Sequence, residues 1–432
     1  MSDNKQNIQS PKGMHDILAE DYVLYQNIFD KGEEIASYYG FKPIQTPILE
    51  NVDLFTATLG TTSDIVEKQM YYIKTDGGEK LVMRPEATAG IMRSYLEHGM
   101  QTLPQPVMLW CKGSFFRHES PQKGRFREFQ QFNLEMIGEP KPVGEAVIIQ
   151  ILTLTLKELG LPQTTVLINS IGDKECRGEY RKKLVNYYRK HAANLCKDCK
   201  RRLKENPLRL LDCKEPKCVE IKKGAPQTVD SLCAPCKQHF KEVLEFLDTN
   251  GINYILDTHL VRGLDYYSRT VFEIIPEAPK EEGANPLTIA SGGRYDGLAK
   301  IIGRRDIAGV GGAIGADRVV ALMKENKIAP KYKRVPKVFF IQLSHSAKQK
   351  SLKVIEMFRT AGIYIAQSVS KDNLNSQLSL ASRMNVPHVL ILGQKESLEN
   401  SIIVRDMATS SQESVPIEKV VEIIKKKIGG KK

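Results

Sequence analysis

Val23, Ile28, Ile35 and the aromatics of EDYVLYQNIFDKGEEIASYYG (20–40) recur at near-helical spacing, and Gly40 supplies a C-cap. FKPIQTPILE (41–50) is extended and proline-marked. Residues 67–84 predict a hairpin: EKQMYYIK, a turn at Asp76-Gly77-Gly78, then KLVMR. Arg84-Pro85-Glu86-Ala87-Thr88-Ala89 opens a helix running to about Glu97, two strands follow, and 143–160 is a further helix. Residues 174–247 are Lys/Arg-rich, helical in pattern and cysteine-bearing, and they read as an insertion. NYILDTHLVRGLDYYSRTVFEII then returns to β character, with Leu260–Tyr267 inside a predicted strand. GVGGAIGADRVVALM reads as a strand feeding a helix that starts near Gly315.

APKYKRVPK (329–337) is a basic, proline-marked linker. Beyond it, VFFIQL, IYIAQSV, HVLILG and SIIVRDM are strands, interleaved or followed by the helices SAKQKSLKVIEMFRTAG, NLNSQLSLASRMN and IEKVVEIIKKK. This alternation predicts a small α/β domain over 338–432. A chain of 432 residues exceeds one ordinary core, so 1–328 is expected to fold separately.

One strand departs from the usual division of labour. After Phe116-Arg117-His118-Glu119 and a Pro/Gly-bearing loop, Gly124-Arg125-Phe126-Arg127-Glu128-Phe129 leads into alternating residues. Arg127, Gln131, Asn133 and Glu135 share one face, and Phe132, Leu134 and Met136 the other. A whole face of Arg, Gln, Asn and Glu suits the floor of a polar ligand site, and the solvated face of an edge strand is the plainer alternative.

The net charge of +12 favours polyanionic partners, nucleic acid first, although some of the excess lies in the C-terminal lysines. No window approaches ~18 uninterrupted apolar residues, and the polar N-terminus lacks a signal core, so a cytoplasmic protein is expected. Of eight cysteines, Cys111 and Cys176 are isolated and six cluster between 196 and 236. In the cytoplasm such a cluster suggests metal before cystine.

Arg84-Pro85-Glu86-Ala87-Thr88 sets a carboxylate and a hydroxyl at a helix entrance, able to receive an ammonium group or to cap the helix. Arg117, His118, Lys123, Arg125 and Arg127 flank the loop, where arginines can fork onto phosphates. Phe129 offers a ring face to a purine. There is no Walker loop. Leu260-Val261-Arg262-Gly263-Leu264-Asp265-Tyr266-Tyr267 makes either a polar aromatic wall or an ordinary half-buried strand. The glycines of Ser291-Gly292-Gly293-Arg294-Tyr295-Asp296 and Gly309–Gly315 let a flat ligand approach the backbone, and Arg318 starts the next helix.

Taken together, these segments resemble the bacterial-type histidyl-tRNA synthetases, of class II, over essentially the full length. FKPIQTPILE, with Pro47, is similar to the first, dimer-forming class II motif; FRHESPQKGRFREF to the second; GVGGAIGADRVVAL to the third. LVRGLDYY and SGGRYDGL are similar to the two signatures peculiar to the histidine enzymes. The resemblance implies an α+β fold: an antiparallel-sheet catalytic domain with a helical insertion, then an α/β anticodon-binding domain. It implies ATP, accompanied by Mg²⁺, as substrate, with L-histidine and tRNA(His), in a homodimer. By matched positions Glu86, Thr88 and Gln131 hold the α-ammonium group. Glu135 and Tyr267, with Tyr266, flank the imidazole. Phe129 and Arg318 sandwich adenine, and Arg117 and Arg262 grip the α-phosphate. His118 and Arg125 sit nearer the β- and γ-phosphates, and Gln122 faces the tRNA acceptor end. The third motif ends Ala316-Asp317-Arg318 where many relatives have a longer apolar residue and Glu, so the acid here has a shorter reach.

The paired spacing Cys196-x-x-Cys199 and Cys233-x-x-Cys236 suits a structural Zn²⁺, with Cys213 and Cys218 between. Unliganded thiols and a redox role are the alternatives. A rival from another class is a silent, synthetase-like regulatory subunit that binds histidine; the presence of Arg262, Tyr266, Tyr267, Arg318 and a C-terminal domain argues against it. A class II relative for Gly, Pro or Thr would not carry LVRGLDYY, and a pure RNA-binding module would not need Glu86, Gln131 and Glu135 beside arginines. The basic insertion is expected to clamp the tRNA acceptor arm through salt-sensitive phosphate contacts.

Overall fold

A computed structural model describes residues 8–60, 63–121, 124–277, 287–303, 305–330 and 336–429. The chain divides into two compact units, Met1–Lys331 and Tyr332–Lys432. Gln122 and Lys123, and 331–335 of the linker, lie outside the described residues.

The first unit begins with α1 (Ala19–Tyr38), β1 (Lys42–Pro43), β2 (Leu49–Asn51) and α2 (Val52–Leu59). Next come β3 (Tyr71–Lys74), β4 (Lys80–Met83), α3 (Thr88–Glu97), β5 (Val107–Phe116), β6 (Glu128–Ile137), α4 (Val143–Glu158) and β7 (Thr164–Ser170). The insertion follows as α5 (Lys174–Lys190), α6 (Lys197–Glu205), α7 (Pro216–Lys223) and α8 (Ala234–Thr249). The unit closes with β8 (Tyr254–Leu256), β9 (Ser268–Pro276), β10 (Ala290–Arg294), α9 (Leu298–Gly303), β11 (Gly309–Gly315) and α10 (Ala316–Glu325).

Eight strands form one sheet in the order β1-β5-β6-β11-β10-β9-β7-β8, antiparallel except at β1/β5 and β7/β8. The alternating strand foreseen as a ligand floor is β6, and it is no edge. It pairs with β5 on one side and β11 on the other. Its even-numbered residues Phe132, Leu134 and Met136 join a core with Ile28 of α1, Ile148 and Leu152 of α4, and Val319 of α10. Burying these apolar faces is the main force fixing the sheet against the three helices. Its odd-numbered residues Gln131, Asn133 and Glu135 face away from that core, on the side where α2, α3 and α9 pack over a second cluster containing Phe115, Val271 and Tyr295.

Two sequence expectations fail here. The hairpin is shorter than drawn, because Ile65–Gln69 is a π-helical turn and pairing begins only at Tyr71. Leu260–Tyr267 is irregular rather than a strand. A strand would send alternate residues to opposite faces, whereas Arg262, Leu264, Tyr266 and Tyr267 all line one cavity.

The second unit is a five-stranded mixed sheet in the order β13 (Ile365–Gln367), β12 (Val338–Gln342), β14 (His388–Leu392), β15 (Ser401–Asp406), β16 (Gln412–Pro416). Val338 and Phe340 of β12 pack with Val354, Phe358 and Ile424 of the flanking helices, while Phe339 and Ile341 pack with Ala381 and Val386 on the opposite face. Both faces are covered, as expected for parallel strands joined by helices. Among the described residues no helix is long and apolar enough to cross a membrane.

Candidate active site

The polar face of β6 floors a cleft with about 390 Å³ of empty space. Gln131, Asn133 and Glu135 form its base, Glu86 and Thr88 come from the start of α3, and Arg117 from the end of β5. Arg262, Tyr266 and Tyr267 supply a wall from the irregular segment before β9, and Ser291 closes the floor from β10. The six residues expected by resemblance to hold histidine and the two arginines expected on the α-phosphate therefore meet in one cavity.

Glu135 is 2 % exposed, and no ion pair reaches it among the described residues. Thr88 Oγ1 donates to its Oε1 at 2.6 Å and the Tyr295 hydroxyl to its Oε2 at 2.5 Å. Burial, with the nearby Glu86 carboxylate adding to it, pushes Glu135 up to about 8 despite these two donors. Room for the carboxylate exists because its register partner on β11 is Gly311, where an added Cβ would stand 1.9 Å from Oε2. Glu86 performs the capping task considered for it. Its carboxylate accepts the N–H groups of Thr88 (2.7 Å) and Ala89 (2.9 Å) at the helix start, and Tyr266 donates to it at 3.3 Å. Burial raises this acid as well, against the pull of those N–H groups. Two buried carboxylates whose hydrogen-bond donors, among the described residues, are neutral are complementary to an ammonium group.

The rim is basic. Arg262 is held by Glu273 through Nη1 and by Ser291 Oγ at 2.8 Å through Nη2, and Thr288 Oγ1 fixes the other Glu273 oxygen at 2.6 Å. Arg117 donates through Nε to the Pro85 carbonyl at 2.9 Å and lies over the Phe129 ring at 5.2 Å. Phe129 shares the β6 face of Gln131 and Glu135. Arg318, in the first turn of α10, donates to the carbonyls of Thr288 (2.6 Å) and Gly124 (3.3 Å). Burial and the neighbouring Arg125 and Arg262 pull Arg318 below its ordinary value, as expected for a cationic cluster short of anions. Phe129, Arg318, His118 and Arg125 do not line the cavity: the His118 ring packs edge-on to Tyr71, and Arg125 lies 3.8 Å from Glu119. Gln122, the residue expected at the tRNA acceptor end, is outside the described residues.

Some residues near the site are structural. Asp317 receives Gln130 N at 2.7 Å and the Tyr25 hydroxyl at 2.8 Å, so its short side chain ties α10 to β6 and α1. Arg294, within SGGRYDGL, is fully buried and ion-paired to Glu145, which also meets His239 Nε2 at 2.6 Å. Burial alone would raise Glu145; Arg294 and His239 hold it below its ordinary value. Tyr295, Ser291 and Glu273 were given no role from sequence, and Asn133 only a place on the polar floor. Tyr295 had a signal, since it lies in the SGGRYDGL signature, just after the glycine-rich β10.

The expected zinc set needs correction. Cys196 and Cys199 group with Cys213 and Cys218, whereas Cys233 and Cys236 group with Asp173 and Cys176. The two C-x-x-C pairs open different helices, α6 and α8, and packing sends them to different partners.

An eight-stranded, largely antiparallel sheet with this face is the catalytic fold of class II aminoacyl-tRNA synthetases. Residues 13–319 match the family profile described as histidyl-tRNA synthetase, and 337–427 match the anticodon binding domain. The chain belongs to the histidyl-tRNA synthetase family. It is 40% identical over 421 residues to a Caldicellulosiruptor bescii protein named histidine–tRNA ligase, covering 98% of this chain and 99% of that one. A Dehalococcoides mccartyi histidine–tRNA ligase is 40% identical over 97% of this chain and all of its own. The crystal structure of apo S. aureus histidyl-tRNA synthetase matches with a TM-score of 0.79 at 31% identity, covering 97% of this chain and all of that one.

Proposed function

We propose that the protein is a histidine–tRNA ligase. The carboxylate of L-histidine attacks the α-phosphorus of ATP, the bond to the β-phosphate oxygen breaks, and histidyl-adenylate and pyrophosphate result. A terminal ribose hydroxyl of tRNA(His) then attacks the acyl carbon, loses its proton, and AMP departs.

The observation that carries this reading is the buried pair Glu86 and Glu135 in a cavity rimmed by Arg117 and Arg262. The α-ammonium group binds Glu86, Thr88 and Gln131. The imidazole lies between Glu135 and the Tyr266–Tyr267 wall, its N–H donated to the carboxylate and its lone pair met by a hydroxyl. A ring with one donor and one acceptor is selected by such opposed partners. Arg117 and Arg262 hold the α-phosphate and offset the charge that builds on it during transfer. Adenine lies between Phe129 and Arg318, with His118 and Arg125 toward the outer phosphates and Gln122 toward the tRNA end. Mg²⁺ enters with ATP as part of the substrate. Glu273 is already committed to Arg262 and Thr288.

On this reading 1–328 carries the chemistry, 174–247 contacts the acceptor arm, 329–337 links, and 338–432 reads the anticodon region. A second copy covers Ile48 and Leu49 of the first motif, both exposed in the single chain. Charging a tRNA(His) transcript with labelled histidine tests the proposal. Esterification with histidine and none of the other amino acids is expected; a protein that binds histidine yet charges no tRNA overturns it in favour of a regulatory role.

A further inference from the structure

The geometry points to two separate structural zinc sites in the insertion, one of four thiolates and one of three thiolates with a carboxylate. In the first, Cys196, Cys199, Cys213 and Cys218 bring their sulfurs within 4.8 Å of one another. In the second, Asp173, Cys176, Cys233 and Cys236 do the same with three sulfurs and one carboxylate oxygen.

The spacing suits a shared ion rather than a cross-link. Four sulfurs placed tetrahedrally about 2.3 Å from Zn²⁺ stand about 3.8 Å apart. Cys196 and Cys213 Sγ are 3.9 Å apart. A disulfide needs about 2.05 Å. Cys199, Cys213 and Cys218 are all at most 6 % exposed, so three of the four thiols lie where few other partners reach them.

The backbone is arranged like a ligand cage. Cys196 and Cys233 are both N-cap residues, with nearly the same conformation (φ −67°, ψ 165° and φ −69°, ψ 164°). Cys199 N–H donates to Cys196 Sγ and Cys196 N–H to Cys218 Sγ, each at 3.3 Å. Cys233 N–H donates to Cys176 Sγ at 3.1 Å. Such donors stabilise sulfur as thiolate, the form that binds metal.

Asp173 divides its carboxylate between two tasks. Oδ1 caps α5, accepting from Glu175 and Cys176 N–H at 3.1 Å each. Oδ2 turns to the cysteines, 3.1 Å from Cys236 Sγ and 3.9 Å from Cys233 Sγ. The thiol proton now in that contact is the one an ion displaces. Gly172 (φ +67°) makes the approach possible, since a Cβ there would stand 2.5 Å from Cys176 Cβ.

The two sites have different structural roles. The first joins the start of α6 to the segment around α7. The second fastens the entry of the insertion, at Asp173 and Cys176, to its exit, at Cys233 and Cys236, closing a long loop at its base. The enclosed part reaches the catalytic core, where Arg202 and Arg209 pair with Asp64, and Asn206 donates to Asp265 at 3.0 Å, next to Tyr266.

Metal content of the full chain tests this. Protein made without a metal-binding tag in zinc-supplemented medium, then desalted, is analysed by inductively coupled plasma mass spectrometry beside C199S, C236S and the control C111S. Two zinc ions per chain are expected in the parent and in C111S, and one in each of the other variants. One ion or none in the parent, iron in place of zinc, or cysteines paired as disulfides overturns the proposal. If a variant does not fold, zinc K-edge absorption of the parent decides. Seven sulfurs and one oxygen shared over two ions support the two donor sets, and a shell dominated by nitrogen or oxygen refutes them.

Discussion

Tyr295→Phe isolates one hydrogen bond at the heart of the site. The ring stays, so the buried packing against Tyr266 and the 309 backbone is kept. What goes is the hydroxyl donated at 2.5 Å to Glu135 Oε2. A hydrogen bond to a charged, buried partner contributes about 1.5–3 kcal/mol. At about 1.4 kcal/mol per decade, the KM for histidine in ATP–pyrophosphate exchange should rise roughly 10- to 150-fold. The KM for ATP should stay within about 2-fold, because Arg117 and Arg262 do not touch this hydroxyl. The pH dependence gives a second readout. Burial holds Glu135 at about 8, above its ordinary value of 4.5, and the Tyr295 hydroxyl lowers it. Below about 8 the empty pocket is therefore mostly protonated, and binding that needs the carboxylate strengthens as pH rises through that value. At pH 7 the deprotonation costs about 1.4 kcal/mol. Removing the hydroxyl raises the acid further, so the limb in Tyr295→Phe should move to higher pH. Titration of free histidine is common to both proteins and cancels in the comparison. A KM change under about 3-fold with an unmoved limb would refute the assignment and leave Tyr295 a packing residue.

Three further outcomes follow from the same geometry. Arg262→Ala should lower kcat for exchange by about 100- to 1000-fold, the usual loss for one preorganised charge donor, and unaltered kcat would remove Arg262 from the chemistry. Gly311→Ala places a Cβ 1.9 Å from Glu135 Oε2, so calorimetry should find histidine binding at least about 10-fold weaker as this bond is displaced; unchanged affinity would show that the carboxylate is not the ligand. Arg294→Met strands the fully buried Glu145, and chemical denaturation should record a loss of about 3–5 kcal/mol. The loss should be partly recovered in Glu145→Gln/Arg294→Met, and equal stability of parent and Arg294→Met would contradict the buried pair.

Much of this could be read from sequence where periodicity and chemistry agreed. The polar residues Gln131, Asn133 and Glu135 marked a ligand floor because a strand has only two faces, whereas Arg127 precedes the strand and donates to the Glu119 and Lys12 carbonyls instead; the edge-strand alternative falls because Glu135 lies opposite both Leu109 and Gly311. The segment Leu260–Tyr267 misled for the opposite reason. Its apolar and aromatic content imitates a strand, but Arg262, Tyr266 and Tyr267 all line one cavity, which an irregular path allows. The Gln412–Pro416 strand escaped notice because only Val415 is buried in it. Cysteine spacing showed which thiols are neighbours along a helix start. It could not show which pairs meet, since that depends on how α5, α6 and α8 pack, and it gave no reason to count Asp173 or the isolated Cys176. Tyr295 lay in a recognised signature, but its donor role depends on reaching a carboxylate 160 residues away.

The central claim, that one cavity activates histidine with ATP, is tested most directly by ATP–pyrophosphate exchange with each of the twenty amino acids supplied singly. Exchange with histidine alone is predicted. Exchange with a different amino acid, or none from protein that still binds histidine, would contradict the roles given to Glu135, Arg117 and Arg262.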